Sequence, residues 1–273
     1  MENNSGSKTP VLPPLPYRLA VESGAAILSA LSVAPAISIV DKAIVSNASG
    51  LEPLIPCAIN GIKALFANPV SFFRQPSFLF IWGVYSGTYI VANSVEAICE
   101  YQGRSSFYPK FFASSGANVT LSVLKDKAFA RMFGVGAAKP LPLKSYGLFA
   151  TRDSMTILAS FSMPGPLSLA MQKQFACSPL FADNFAQLFT PCAMQLLSCP
   201  LHLHGLDLYN RGGADIGLAE RIAFVKREYV KTALARIARI FPAFGVGGVL
   251  NKYIRKQGIG SLHEEYDAQA CQC

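Results

Sequence analysis

A long apolar segment without charge near the start of the chain is the strongest constraint on its fold. Residues 24–40 contain no charged side chain and lie within an apolar segment at 19–45, which Pro35 interrupts. About 20 apolar residues in a helix span the hydrocarbon core of a bilayer. A second such segment covers 76–98, where the only charge is Glu96, close to its end. The two segments predict an integral membrane protein whose first helix is kinked at the proline.

The composition agrees with a membrane protein and argues against several other classes. The chain is 51% hydrophobic and 15% charged, whereas soluble domains carry about 25% charged residues. Its net charge of +8 comes from basic residues that alternate with apolar segments, so we expect basic loops beside membrane helices and no nucleic-acid partner. We find no motif for an enzyme or a cofactor. His202 and His204 do not share a helix face, so no metal site is predicted.

Four further segments complete a predicted bundle of six membrane helices. They are more polar than the first two and cover 111–132, 143–172, 183–210 and 237–254. Polar helices persist in a bilayer where they face a bundle interior or water. Residues 54–66 and the basic stretch 217–241 have apolar residues at helical spacing, which predicts amphipathic helices at the membrane surface.

The predicted helices form pairs, and charged residues recur at similar places in each pair. The first, third and fifth helices end near an acid, at Asp41, Asp126 and Asp207. The second, fourth and sixth have a base shortly before a proline, at Arg74, Lys139 and Arg239. We therefore predict a membrane domain at 18–257 with three two-helix pseudo-repeats. The repeats cover about 18–103, 104–176 and 177–257. A flexible segment at 1–17 precedes this domain, and a polar tail at 258–273 follows it.

With this pattern the chain resembles the mitochondrial carrier family over about 19–256. Carriers have a proline–acid–base motif on their odd helices and an aromatic–acid–base motif on their even helices. Phe149 with Arg152 and Asp153 is similar to the second motif, whereas His202 stands where the family has an acid after proline. The resemblance implies an all-α membrane protein of six transmembrane helices in three two-helix pseudo-repeats, with short amphipathic matrix helices.

The resemblance also implies a function and a location. Carriers move small metabolites across the mitochondrial inner membrane by alternating access, and the basic residues here favour an anionic substrate. The alternative is a carrier-like protein without transport activity that acts as a structural or assembly subunit of a mitochondrial membrane complex. Both chain ends are expected on the intermembrane-space side, since six spans are an even number, with the basic loops at 125–144 and 208–239 in the matrix.

The candidate substrate-binding residues centre on a charged pair within the fourth helix. Arg152 is predicted to face a central cavity and bind an anion beside Asp153, because an ionised residue inside a membrane helix is costly unless it is paired or wet. The carrier motif places Thr151 in the contact pair instead, and the alternative for all three is an ion pair that fixes helix packing. A basic ring of Arg74, Lys139 and Arg239 would attract anions. The alternative is that these bases follow the positive-inside bias or contact lipid headgroups such as cardiolipin.

The candidate gate consists of charges at the ends of the odd helices. They are Asp41, Lys42, Lys125, Asp126, Lys127 and Asp207. Ion pairs between helices that break and re-form are a plausible device for alternating access. The alternative is ordinary capping charge at helix ends.

Overall fold

The computed structural model describes residues 13–48, 51–133, 143–211 and 217–270, and it is helical apart from short connections in these ranges. The α-helices, in chain order, are α1 (Leu15–Ala48), α2 (Leu54–Ala67), α3 (Pro69–Phe73), α4 (Pro76–Tyr101), α5 (Phe107–Phe133), α6 (Leu143–Ile157), α7 (Pro164–Phe175), α8 (Pro179–Arg211), α9 (Leu218–Ile240) and α10 (Gly247–Ala270). Two π-helical segments, Leu158–Ser162 and Phe241–Val246, join α6 to α7 and α9 to α10. The all-α prediction is confirmed for the described residues.

Prolines set several helix boundaries. Pro76 begins α4 and Pro164 begins α7, each at the first turn, where a missing backbone N–H leaves no hydrogen bond unmade. Asn68 caps α3 by accepting a hydrogen bond from the Ser71 backbone N–H at 3.1 Å. The predicted surface helix at 54–66 corresponds to α2. The structure differs at the C-terminus, because α10 continues through the predicted polar tail as far as Ala270.

Six long helical segments pack side by side into a ring. Segments 1, 2, 3 and 5 are α1, α4, α5 and α8; segment 4 is α6, the first π-helical segment and α7; segment 6 is α9, the second π-helical segment and α10. Each packs against the next along the chain, and α10 closes the ring by packing against α1. The start of α1 and the middle of α10 meet at what we call the terminal end of the ring. The opposite end holds the end of α1 and the start of α6.

The ring has an apolar outer surface and a polar interior. Large apolar side chains are exposed on several segments, for example Leu28, Phe80, Phe189 and Leu197. Polar side chains are buried in the interior, and they include Glu22, Thr88, Asn93, Asn118, Gln187, Gln195 and Asn251. A soluble protein has the reverse arrangement. An apolar exterior over a polar interior is instead the arrangement of a helical bundle whose solvent is lipid.

Three helices in the described part of the chain are long and apolar enough to cross a membrane. They lie at Leu15–Ala43, Pro76–Tyr101 and Thr232–Glu264. They match the first, second and sixth predicted spans, although the last is longer than the predicted 237–254 because it begins within α9. The remaining segments do not reach the hydropathy of a membrane span, because they carry buried Asn, Gln and Thr side chains.

The two π-helical segments are held by one side chain of α8. A π-helical turn leaves backbone carbonyls without their usual partners. Gln187 Nε2 donates to the carbonyl of Ser160 in the first π-helical segment at 3.0 Å and to that of Phe244 in the second at 2.9 Å. Thr190 satisfies a further carbonyl, that of Ala159, at 2.6 Å. Gln187 therefore ties segments 4, 5 and 6 together at mid-ring.

Substitution Gly248→Ala is expected to destabilise the protein by about 1–3 kcal/mol, the usual cost of overpacking a tight interior. A Cβ at this position would lie 2.2 Å from Gln187 Nε2, so Gln187 would have to move away from its two carbonyls. Thermal unfolding in detergent measures the loss. Gly147→Ala is the matched control, since a Cβ there meets nothing within 4 Å and alanine favours a helix. Equal melting temperatures for the two variants would contradict the prediction.

Candidate functional site

A layer of hydrogen-bonded amides crosses the interior of the ring on the side of its terminal end. Asn93 and Asn251 donate to each other at 3.0 and 2.9 Å, although they lie on segments 2 and 6, which are not neighbours in the ring. Asn93 also donates to the Glu22 carbonyl at 3.1 Å. Asn118 bonds to Thr88 at 3.2 Å and so joins segments 2 and 3. Contacts between non-neighbouring segments must cross the interior, so the interior of the ring is polar at this level.

Aromatic side chains fill the centre of the ring beside this layer. Tyr89, Phe161 and Phe244 come from segments 2, 4 and 6, and their ring centroids lie 5.2 to 6.1 Å apart. Tyr89 donates its hydroxyl to the Ala243 carbonyl at 2.8 Å. Phe161 and Phe244 each belong to a π-helical segment. These three side chains, which we call the aromatic plug, separate the two ends of the interior.

A charge-balanced network occupies the terminal end. We call it the terminal cluster, and its members are Arg18, Glu22, Glu96, Glu100, Lys110 and Arg255. Arg255 pairs with Glu22, with one contact at 3.0 Å, and with Glu96 at 2.6 Å. Lys110 pairs with the same Glu96 at 2.7 Å, and Arg18 pairs with Glu22 and Glu100. Arg255 to Glu96 connects segment 6 to segment 2, so this ion pair crosses the interior and closes the end.

A second charged group lies towards the opposite end. We call it the basic cluster, and its members are Asp41, Lys125, Arg152, Asp153, Arg236 and Arg239. Asp41 pairs with Lys125 at 3.1 Å and with Arg239 at 2.9 Å. The pair of Asp41 and Lys125 joins segments 1 and 3, which are separated in the ring by segment 2, so it also crosses the interior. In this cluster four bases face two acids, whereas the terminal cluster has three of each.

Arg152 is held rigidly within the basic cluster. Its Nε and Nη2 atoms donate to the two carboxylate oxygens of Asp153 at 2.9 and 2.8 Å, and Nη1 lies 2.7 Å from His202 Nδ1. The guanidinium also lies over the Phe149 ring, 4.9 Å from its centroid. The positive charges of Arg152, Arg236 and Arg239 all act on the His202 ring. The cluster therefore surrounds a point on segment 5 with three guanidinium groups.

Some of the predicted site residues converge and others do not. Arg152, Asp153, Arg239, Asp41 and Lys125 meet in the basic cluster. Asp207 is buried elsewhere, paired with Arg221 of α9 at 2.5 Å, and Lys42 is half-buried at the end of α1.

Two predicted substrate-binding residues have no described contact with the cluster. Thr151 is exposed and donates to the Gly147 carbonyl of its own helix at 2.9 Å. Arg74 is exposed at the end of α3, and no described hydrogen bond or ion pair joins it to Arg239. The side chains of Asp126 and Lys127, and the whole of Lys139, lie outside the described residues.

The sequence interpretation missed the terminal cluster and Arg236. Glu22 precedes the charge-free run of the first segment and is fully buried in the structure. An ionisable residue beside a membrane span indicates a position in the bundle interior. The sequence alone therefore offered a signal for Glu22. The amphipathic pattern of α9 predicts a surface position for Arg236, yet its guanidinium bonds to the buried Gln195 at 2.6 Å.

Comparison with protein families identifies the family of this chain. A family model described as probable citrulline exporter matches residues 25–259, which is most of the chain. The chain belongs to this family. The comparisons with curated proteins and with solved structures gave no match. The resemblance to the mitochondrial carrier family is therefore wrong as a family assignment. Kinked helices with charges at their ends suit any ring of membrane helices with a polar interior, so those features do not separate one family from another.

The family assignment and the apolar helices agree on a coarser statement. The protein is a helical membrane protein, and its family is described as a probable exporter of a small metabolite. The match carries no information on a mitochondrial location or on an anionic substrate.

Proposed function

We propose that this protein moves a small amino acid of the citrulline type across a membrane by alternating access. The observation that carries the proposal is the pair of charged clusters whose ion pairs cross the interior at two levels of an apolar-surfaced ring. The family description gives the class of substrate. Both clusters can act as gates, because an ion pair that crosses the interior must separate before a substrate passes.

The chemistry of the interior suits a zwitterionic amino acid with a polar side chain. Citrulline has a carboxylate, an ammonium group and a neutral ureido group, which both donates and accepts hydrogen bonds. The basic cluster offers guanidinium groups for the carboxylate and Asp153 for the ammonium group. The amides of Asn93, Asn251 and Gln187 are the kind of side chain that pairs with a ureido group.

Alternating access would use the two clusters in turn. In this structure both sets of crossing ion pairs are formed, and the aromatic plug lies between them. Opening one end requires that one set of ion pairs separates while the other set stays formed. Substrate binding therefore has to offset the cost of separating only one set at a time. Bending at the two π-helical segments would move Phe161 and Phe244 together, because Gln187 bonds to the carbonyl of Ser160, which precedes Phe161, and to that of Phe244.

The proposal includes six membrane crossings, of which three qualify by hydropathy. The other three are polar on the side that faces the interior, where lipid does not reach. The inner mitochondrial membrane stays a prediction from the sequence, as does the placement of both chain ends in the intermembrane space. Anionic lipids such as cardiolipin stay predicted partners, and the exposed Arg74 is free to meet their headgroups. Fractionation followed by protease protection tests location and orientation.

Uptake into liposomes tests the function directly. Purified protein is reconstituted with internal citrulline, and uptake of labelled citrulline, ornithine, arginine and citrate is measured over time. We expect saturable uptake of citrulline above empty liposomes and weaker uptake of citrate, because the interior also contains acids. Preferential uptake of citrate would instead support the anionic substrate that the basic residues predict.

A protein that folds and transports none of these compounds would contradict the proposal. Folding is judged by a cooperative thermal transition in the same lipid. That outcome, together with recovery of the protein in a large membrane complex, would support the alternative of a structural or assembly subunit.

A further inference from the structure

Arg236 differs from the other bases of the basic cluster in its partners. Lys125 and Arg239 pair with Asp41, and Arg152 pairs with Asp153 through two hydrogen bonds. The described hydrogen bonds of Arg236 come from Nη2 and go to neutral groups, Gln195 Oε1 at 2.6 Å and Ser198 Oγ at 3.4 Å. No described acid lies within ion-pair distance of it.

One donor of this guanidinium is buried and unused. The Nε atom of Arg236 is inaccessible to solvent and has no hydrogen-bond partner among the described residues. A buried cation without an acid is unfavourable, and a buried donor without an acceptor adds to the cost. A carboxylate can accept two parallel hydrogen bonds from one edge of a guanidinium, which is the pairing that this side chain lacks.

The neighbours of Arg236 hold it in place and are themselves fixed. Gln195 is fully buried, and its Nε2 donates to the Pro191 carbonyl at 2.8 Å and to Thr156 Oγ1 at 3.3 Å. Its Oε1 is thereby directed towards Arg236. Asp153, with a quarter of its side-chain surface still exposed, acts electrostatically on Arg236 from segment 4. The cluster thus presents an orientated cation next to an acid.

We propose that Arg236 binds the carboxylate of the transported amino acid, with Gln195 and Ser198 as positioning residues. The inference rests on the proposed function and adds to it the residue that recognises the common part of an amino acid. A carboxylate at Arg236 supplies the acceptor that Nε lacks and the negative charge that no described acid gives this guanidinium within ion-pair distance. Asp153 then faces the ammonium group of the same molecule.

A binding measurement tests this separately from transport. Purified protein in nanodiscs is titrated with L-citrulline and with (4-aminobutyl)urea, which is citrulline without its carboxyl group, and thermal stabilisation reports binding. We expect citrulline to bind wild type about 10- to 100-fold more tightly than (4-aminobutyl)urea, the range for one hydrogen bond to a charged group. Equal affinity for the two compounds, or no stabilisation by citrulline, would overturn the proposal.

Variants locate the effect at Arg236. Arg236→Gln is expected to weaken citrulline binding about 10- to 100-fold and to leave (4-aminobutyl)urea nearly unchanged. Arg236→Lys keeps the charge and should fall between. Arg227→Gln is the matched control on the same helix, because Arg227 is exposed and its described contacts are with near neighbours in sequence, an ion pair with Glu228 and a contact with the Phe224 ring. Citrulline affinity that is the same in Arg236→Gln as in the control would contradict the assignment.

Two outcomes separate this inference from the proposed function. Carboxylate-dependent binding that is lost in Arg236→Gln, without uptake into liposomes, leaves the site in place and removes the transport function. Uptake of citrulline that survives in Arg236→Gln with an unchanged half-saturating concentration keeps the transport function and removes the site. If Arg236→Gln does not fold, Arg236→Lys and the comparison of the two compounds on wild type still decide.

Discussion

Replacement of Arg255 by alanine is expected to cost about 3–5 kcal/mol of folding free energy, the range for removing one partner of a buried ion pair. Arg255 is the base that Glu22 and Glu96 share, and the Glu22 side chain is completely inaccessible to solvent. Without the guanidinium, Glu22 keeps only a longer contact of 3.7 Å to Arg18. Two acids would then lie close together in the interior, so we expect the terminal end of the ring to lose its closure.

Thermal unfolding in detergent measures this loss, with Arg227→Ala as the control. Arg227 also pairs with a glutamate, but 72% of its side-chain surface is exposed, so we expect a change below about 0.5 kcal/mol. The double variant Glu22→Gln/Arg255→Ala should recover part of the stability, because it removes an unpaired buried acid. Similar melting temperatures for Arg255→Ala and Arg227→Ala would contradict the burial argument.

The sequence predicts the parts of this fold that depend on local chemistry. The long apolar run predicts α1, the proline at position 76 predicts the start of α4, and the spacing at 54–66 predicts α2 within one residue of its end. Hydropathy fails for segments 3 to 5 because their inner faces are polar. It therefore cannot separate a polar helix inside a membrane ring from a soluble one.

The site is less accessible to sequence reasoning, since its pairs join residues far apart in the chain. Asp41 with Lys125 could be predicted from the recurrence of acids and bases at the ends of odd helices. The sequence pattern predicts a basic ring for the partner Arg239 instead, and no motif marks Arg255. Which side of a long helix faces inward depends on how the six segments are ordered in the ring, and that order is a property of packing and not of any one segment.

Replacement of Lys125 by glutamine is expected to lower citrulline uptake about tenfold or more while the protein stays folded. Asp41 keeps Arg239 as a partner at 2.9 Å, so no acid is left buried and alone, and we expect a stability loss of only about 1 kcal/mol. The ion pair between segments 1 and 3 across the interior is lost. A bias of about 1.4 kcal/mol changes the ratio of two conformations tenfold. Loss of the ion pair therefore raises the population of the state that is open at this end.

Three measurements on Lys125→Gln distinguish a gate from a packing contact. Uptake into liposomes reports turnover, thermal unfolding reports stability, and stabilisation by citrulline reports binding. Lys144→Gln is the control, because Lys144 is exposed on α6. A gate residue should lose turnover and keep citrulline binding, since a ring held open at one end still exposes Arg236 and Asp153 to substrate. If turnover, stability and binding fall together in proportion, the pair of Asp41 and Lys125 acts in packing, and closure of this end has to come from other residues of the cluster.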